Sequence, residues 1–154
     1  MTDNLKAFLD MIAWSEIGPE LLSKSDNGYN VLVGSTPSHP LLFDSYADHP
    51  RVYNEKLDST AAGRYQILKR FFDVYKVRLN LPDFSPDSQD AIALQMIKEC
   101  RALDLINAGN VIAGIIRTAS RWASMPGNTY QQHQHDIQDL VEAYKQAGGK
   151  LVAY

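Results

Sequence analysis

The side chain best placed for acid–base chemistry is Glu16, the last residue of Leu-Lys-Ala-Phe-Leu-Asp-Met-Ile-Ala-Trp-Ser-Glu (residues 5–16). Leu5, Phe8, Leu9 and Ile12 fall at i, i+3, i+4 and i+7, one face of an amphipathic helix. One more step of four along that stripe reaches Glu16. Gly18-Pro19 follows and stops the helix. The spacing therefore puts a carboxylate on the core-facing stripe, in the last helical turn. Burial and the negative end of the helix dipole both disfavour its charged form. A glutamate that keeps its proton to higher pH suits general acid catalysis near neutrality. Position alone leaves a second reading open, in which a glutamate just before a helix breaker swings out to solvent.

Two other stretches carry side chains suited to a ligand. In Ser59-Thr60-Ala61-Ala62-Gly63-Arg64-Tyr65-Gln66-Ile67-Leu68, small residues and a glycine lead into an expected helix bearing Tyr65 and Gln66. Glycine there permits close approach of a backbone or ligand. Tyrosine and glutamine together offer an apolar face and an amide that donates and accepts, which matches the mixed surface of a sugar. The alternative is an ordinary helix start with Tyr65 in the core. In Trp122-Ala123-Ser124-Met125-Pro126-Gly127-Asn128-Thr129-Tyr130-Gln131, a loop has aromatics at both ends. Trp122 continues the Ile115–Ala119 stripe and reads as core, while Tyr130 and Gln131 suit an exposed ligand surface.

The remaining chemical signals are weak. His133-Gln134-His135 points two rings apart if helical, so it reads as a surface pair and not a metal site. His49 beside Asp48 reads as a loop contact. Ser15 precedes Glu16, but no Ser-His-Asp pattern accompanies it. No glycine-rich phosphate loop is present, so no nucleotide, other cofactor or metal is expected. The one cysteine, Cys100, cannot form an internal disulfide and reads as a small buried hydrophobe.

The elements that must position these residues are mostly helical. A short turn of helix is expected at Glu20–Leu22, a strand over Gly28–Gly34, and a return strand at Leu41–Phe43. Residues 44–58 read as irregular. After Ser59-Thr60, the apolar residues Ile67, Leu68, Phe71, Phe72, Tyr75 and Leu79 predict a helix. Ser85-Pro86-Asp87 is a helix start running to about Arg101. A short helix at Asp104–Ala108 is closed by Gly109. Asn110 caps the next, with Ile112, Ile115, Ile116 and Ala119 along it. The last helix is expected over Gln131–Ala147, ended by Gly148-Gly149. With no repeat or linker, residues 1–154 read as a single α+β domain, predominantly helical, with a small early β-hairpin region.

The chain of 154 residues is long enough for one real core, and 45% hydrophobic content is ordinary for a globular protein. A net charge of −3 without a basic run argues against nucleic acid as the main ligand. No apolar run would span a membrane, so no stable membrane insertion is expected. The N-terminus lacks a signal-peptide pattern, and the expected site of synthesis is the cytoplasm.

Six stretches taken together resemble the lambda-type bacteriophage endolysins. They are Ala-Trp-Ser-Glu, Gly-Tyr-Asn-Val-Leu-Val-Gly, Tyr-Ala-Asp-His-Pro-Arg, Ser-Thr-Ala-Ala-Gly-Arg-Tyr-Gln, Asp-Phe-Ser-Pro-Asp-Ser-Gln-Asp and Trp-Ala-Ser-Met-Pro-Gly. The resemblance runs in order from about Lys6 to Gly149 and departs from the family pattern over Ile17–Asp26 and around Thr36–Pro40. It implies a lysozyme-like fold and peptidoglycan lytic transglycosylase activity, with Glu16 as the catalytic glutamate. It further implies glycan strands of peptidoglycan as substrate, a monomer, and a wait in the host cytoplasm until a holin opens the inner membrane to the periplasm.

On that reading Glu16 protonates the glycosidic oxygen between N-acetylmuramic acid and N-acetylglucosamine. It then takes the proton from the muramic C6 hydroxyl, closing a 1,6-anhydro ring. Tyr65 and Gln66 are expected to position the sugar, with Ser59, Trp122 and Tyr130 as cleft lining. A hydrolysing muramidase is the alternative enzyme. It would need a second carboxylate about 5–5.5 Å (retaining) or about 6.5–9.5 Å (inverting) from the first. Asp26 is the best candidate, with Asp44 and Asp48 behind it. A non-catalytic peptidoglycan-binding phage protein is the alternative outside enzymes, and loss of the glutamate would mark it.

Overall fold

The computed structural model describes residues 1–122, 124–126 and 135–152. Among them the elements are α1 (Asp3–Glu16), α2 (Pro19–Ser23), α3 (Lys69–Arg78), α4 (Pro86–Glu99), α5 (Leu103–Asn107), α6 (Val111–Thr118) and α7 (Ile137–Gln146). The chain gathers into two compact units, one made of Met1–Glu16 with Leu94–Tyr154, the other of Ile17–Ala93. No described helix is long and apolar enough to cross a membrane.

In the first unit, α1 packs against α5 and α7, and α6 packs against α5 and α7. The expected stripe Leu5, Phe8, Leu9 and Ile12 is buried. Ala7, Met11 and Ala13 are buried as well, so the inward surface of α1 is wider than a single stripe, as a helix enclosed by others requires. Ile106 of α5, Val111 and Ile115 of α6, and Leu140 and Tyr144 of α7 are fully buried in the same unit. Gly114 matters for this packing. A Cβ there would meet Ile106 Cγ1 at 2.8 Å and Phe8 Cε2 at 3.4 Å.

The second unit is built around Val31, Ala62, Tyr65, Ile67, Phe72, Phe84 and Ile92. Phe72 and Phe84 meet edge-on at 5.1 Å, with the His49 ring 4.9 Å from Phe84. Gln89 is fully buried and fully engaged. Its Oε1 accepts from the Arg64 N–H at 3.0 Å, and its Nε2 donates to the carbonyls of Phe84 (2.9 Å) and Tyr29 (3.1 Å).

The expected β region is present in reduced form. Isolated antiparallel bridges join Val31 to Leu42, Leu32 to Ala62, Asn54 to Ser59 and Ala62 to Ile67. The strand expected over Gly28–Gly34 is correspondingly short. Asn27 (φ 49°) and Gly28 (φ 86°) are consecutive left-handed residues, which curl the chain into turns as far as Asn30.

The helix expected to carry Tyr65 and Gln66 starts later, at Lys69. Residues 63–66 instead form a tight turn that closes the Ala62–Ile67 bridge, with Ile67 N–H to Ala62 O at 2.8 Å. Gly63 (φ 83°) and Gln66 (φ 50°) are both left-handed, and such residues end a helix where they fall. Phe71, expected on the inward stripe, is exposed. The starts of α4 and α6 agree with the capping signals, although Asn110 makes no side-chain cap hydrogen bond, and α5 begins at Leu103, one residue before its expected start. The final helix begins at Ile137. Gln131 and His133 lie outside the described residues, and His135 precedes the helix.

Candidate active site

Glu16 is the last residue of α1, followed by a turn at Ile17 and by Gly18 at φ 89°. The residue as a whole keeps some exposure, but its carboxyl group is enclosed. Burial lifts the carboxyl from 4.5 to about 7. Two hydrogen bonds from Ser124, one from its hydroxyl and one from its backbone N–H, act the other way. Burial wins. The group is therefore protonated in a good fraction of molecules near neutrality, and two donors still support its ionised form.

Three further residues of the same unit complete this cluster. The Ser15 and Ser124 hydroxyl oxygens are 2.6 Å apart, and both side chains are buried. The backbone N–H of His135 donates to the Ser124 carbonyl at 2.9 Å. Its ring Nε2 lies 3.2 Å from the Ser15 carbonyl, so Nε2–H is the donor there. The same ring lies 4.8 Å from that of Trp14, tilted by 48°. His135 is thus clasped to the end of α1, contrary to its reading as one of a surface pair. The spacing of 109 residues between Ser15 and Ser124 carried no sign of their contact. The quoted Trp-Ala-Ser-Met-Pro-Gly stretch did contain Ser124, but no local pattern assigned it to Glu16.

The structure redistributes the other expected site residues. Tyr65 is 1% exposed, and its hydroxyl donates to Asp90 Oδ1 at 2.6 Å. It is part of the core of its unit, as the alternative reading had it. Trp122, expected as cleft lining, is 3% exposed, in agreement with its core reading. Gln66 is half-buried, and its Nε2 donates to the Gly63 carbonyl at 2.8 Å, bracing its own turn. Ser59 is half-buried in the bridge to Asn54, and its Oγ accepts from the Ala61 N–H at 3.1 Å. Tyr130 lies outside the described residues. Asp26 is exposed, and Tyr46 donates its hydroxyl to Oδ2 at 2.5 Å. His49 is buried, with Nδ1 accepting from the Arg51 N–H at 3.0 Å and Nε2 at 2.8 Å from the Ile67 carbonyl. Among the described residues no group of three or more His, Cys, Asp or Glu could hold a metal ion.

A mostly helical chain with few β bridges and an enclosed glutamate ending its first helix has the lysozyme-like fold, and comparison with solved structures shows it. The structure of bacteriophage lambda lysozyme complexed with a chitohexasaccharide superimposes with a TM-score of 0.90 and 46% identity, covering 99% of this chain and 98% of that one. A second structure, lysozyme from bacteriophage lambda, gives 0.85 and 45% over the same shares. Residues 6–151 match the family model described as Endolysin. The endolysin of Escherichia phage lambda is 49% identical over 150 residues, 95% of this chain and 92% of its own length. That of Escherichia phage P2 is 43% identical over 154 residues, 95% and 93%. The chain belongs to the endolysin family.

Proposed function

We propose that this chain degrades peptidoglycan as a lytic transglycosylase, with Glu16 as both proton donor and proton acceptor. The observation that carries the reading is the Glu16 carboxyl, lifted to about 7 by burial and held by the hydroxyl and N–H of Ser124. A carboxyl poised there is available in both protonation states near neutrality. Protonated, it gives its proton to the glycosidic oxygen between N-acetylmuramic acid and N-acetylglucosamine, and the glycosidic bond breaks. Ionised, it takes the proton of the muramic C6 hydroxyl as that oxygen bonds to C1. The product is a 1,6-anhydromuramic acid, and the glutamate is protonated again. The attacking hydroxyl belongs to the substrate, so its tethering replaces activation of water by a second acid.

The sugar complex of lambda lysozyme supports a glycan strand as the ligand class. Asp26, the best candidate for a hydrolase's second acid, is exposed and engaged by Tyr46, which gives it a structural role in its loop. The family suggests a monomer that waits in the host cytoplasm for a holin before meeting the wall.

Mass spectrometry of fragments released from purified sacculi tests the reading. Chain ends should be anhydromuramic acid, one water lighter than a hydrolytic end. Reducing muramic acid as the main product would make the protein a hydrolase, and binding without release would make it a wall-binding protein.

A further inference from the structure

Ser124 stands between two partners. Its hydroxyl oxygen is 2.6 Å from that of Ser15, and it also hydrogen-bonds the Glu16 carboxyl. A serine hydroxyl carries one proton and two lone pairs, whereas an ionised carboxylate only accepts. With Glu16 ionised, the Ser124 proton must point at the carboxylate, and the short contact to Ser15 is then donated by Ser15. With Glu16 protonated, the carboxyl O–H can donate to Ser124, whose own proton turns towards Ser15. Only hydroxyl rotation is needed, and no proton leaves either serine.

The backbone on both sides of this pair is tied down. His135 donates its N–H to the Ser124 carbonyl at 2.9 Å and its ring Nε2–H to the Ser15 carbonyl at 3.2 Å. The side chains of Ser15 and Ser124 are 6% and 8% exposed, so water competes little for them. Glu16 and His135 are the ionisable side chains that meet the serine pair among the described contacts.

We propose that Ser124 is a positioning residue for Glu16. Backed by Ser15, it holds the carboxyl in one geometry through both protonation states by reversing the order in which the two hydroxyls donate. The inference rests on the reading of Glu16 as the group that gives and retakes a proton.

The test compares Ser124→Ala, Ser124→Thr, Ser15→Ala and Glu16→Gln with the parent protein. The readouts are a 13C titration of the Glu16 carboxyl and the pH profile of lysis of purified sacculi. Ser124→Ala removes a donor to the charged form, so Glu16 should titrate about one pH unit higher. The alkaline limb of activity should move with it. The maximal rate should fall about tenfold, a fraction of the about 10²–10⁴-fold that positioned proton transfer contributes, with KM little changed. Ser124→Thr keeps the hydroxyl and should restore most of the rate. Ser15→Ala should shift the titration in the same direction by less.

An unmoved titration and pH profile in Ser124→Ala, or a threonine variant no better than alanine, overturns the proposal. Should Ser124→Ala fail to fold, an unmoved titration in Ser15→Ala overturns it instead. Glu16→Gln separates the two readings. If it stays active, the assignment of Glu16 fails. If it is inactive while Ser124→Ala behaves like the parent, only the role of Ser124 fails.

Discussion

Tyr65 donates its hydroxyl to Asp90 Oδ1 at 2.6 Å, and the same carboxylate oxygen accepts from Tyr29 at 2.9 Å. Arg64 Nη1 donates to the Tyr65 oxygen at 3.0 Å. Burial, offset in part by Arg64, pushes the Tyr65 phenol well above its usual range. A phenol engaged on both sides belongs to the scaffold of its unit. Tyr65→Phe removes a charge-assisted bond and should cost about 1.5–3 kcal/mol of stability. Thermal melting should show the loss, while lysis per folded molecule stays near the parent value. A slower rate at unchanged melting temperature would place the phenol on the substrate instead.

Glu16→Gln keeps the shape and removes the titratable proton. The folded variant should lose about 10²–10⁴-fold in rate, the range general acid–base catalysis contributes. In the parent, the proton-donating form is depleted as pH rises through about 7. Initial rates of sacculus clearing should therefore fall on that alkaline limb. A variant keeping more than about a tenth of the parent rate would remove Glu16 from the mechanism.

The same carboxyl makes a signed prediction about stability. Its folded value, about 7, lies above its ordinary 4.5. Between these the folded state binds the proton more tightly, so stability is full below 4.5 and declines as pH rises through about 7. The decline is at most about 3.4 kcal/mol, and less because the residue keeps some exposure. Glu16→Gln should therefore be more stable than the parent at about pH 8, with the gain fading towards about pH 4.5. Urea unfolding at the two pH values measures it, and an equal difference at both would contradict it.

Asp26→Asn should leave most of the lytic rate and all of the anhydro product. Burial first, then the Asp26 hydrogen bond, holds the Tyr46 phenol above its usual range. The substitution removes the carboxylate charge, so Tyr46 should ionise at lower pH, visible by ultraviolet absorbance. Loss of activity together with loss of reducing-end products would identify Asp26 as a hydrolase's second acid.

His49 should stay neutral where an ordinary histidine is half charged. Burial lowers its pKa from 6.5, and the geometry explains why it resists a second proton. The Arg51 N–H already donates to Nδ1 at 3.0 Å, so protonation there would set two donors face to face. The folded state binds fewer protons than the unfolded chain, and His49 withdraws stability as pH falls through 6.5. Nitrogen NMR of the imidazole through that range would show it, and an ordinary titration curve would refute it.

Local signals carried much of the architecture. The spacing of Leu5, Phe8, Leu9 and Ile12, with Gly18-Pro19 beyond, located α1 and placed Glu16 at its end. Ser85-Pro86 marked the start of α4, and Gly109 the end of α5. These features depend on side chains within a turn or two of one another, where periodicity and backbone preference act directly. The same logic failed at Tyr65 and Gln66. Their apolar surroundings read as a helix, but Gly63 and Gln66 adopt left-handed conformations that close a bridge and turn the tyrosine into the core.

What the sequence by itself determined is which faces are apolar, where most helices begin and end, and that a carboxylate sits where a helix stops. Only the tertiary structure decided what that carboxylate meets. Ser124 reaches Glu16 and Ser15, and His135 clasps Trp14 and Ser15, across more than a hundred residues of chain. The physical reason is that burial and hydrogen bonding act between groups brought together by packing, whatever their separation along the chain. Periodicity records that a surface is to be covered, not which polar group will be enclosed beneath it.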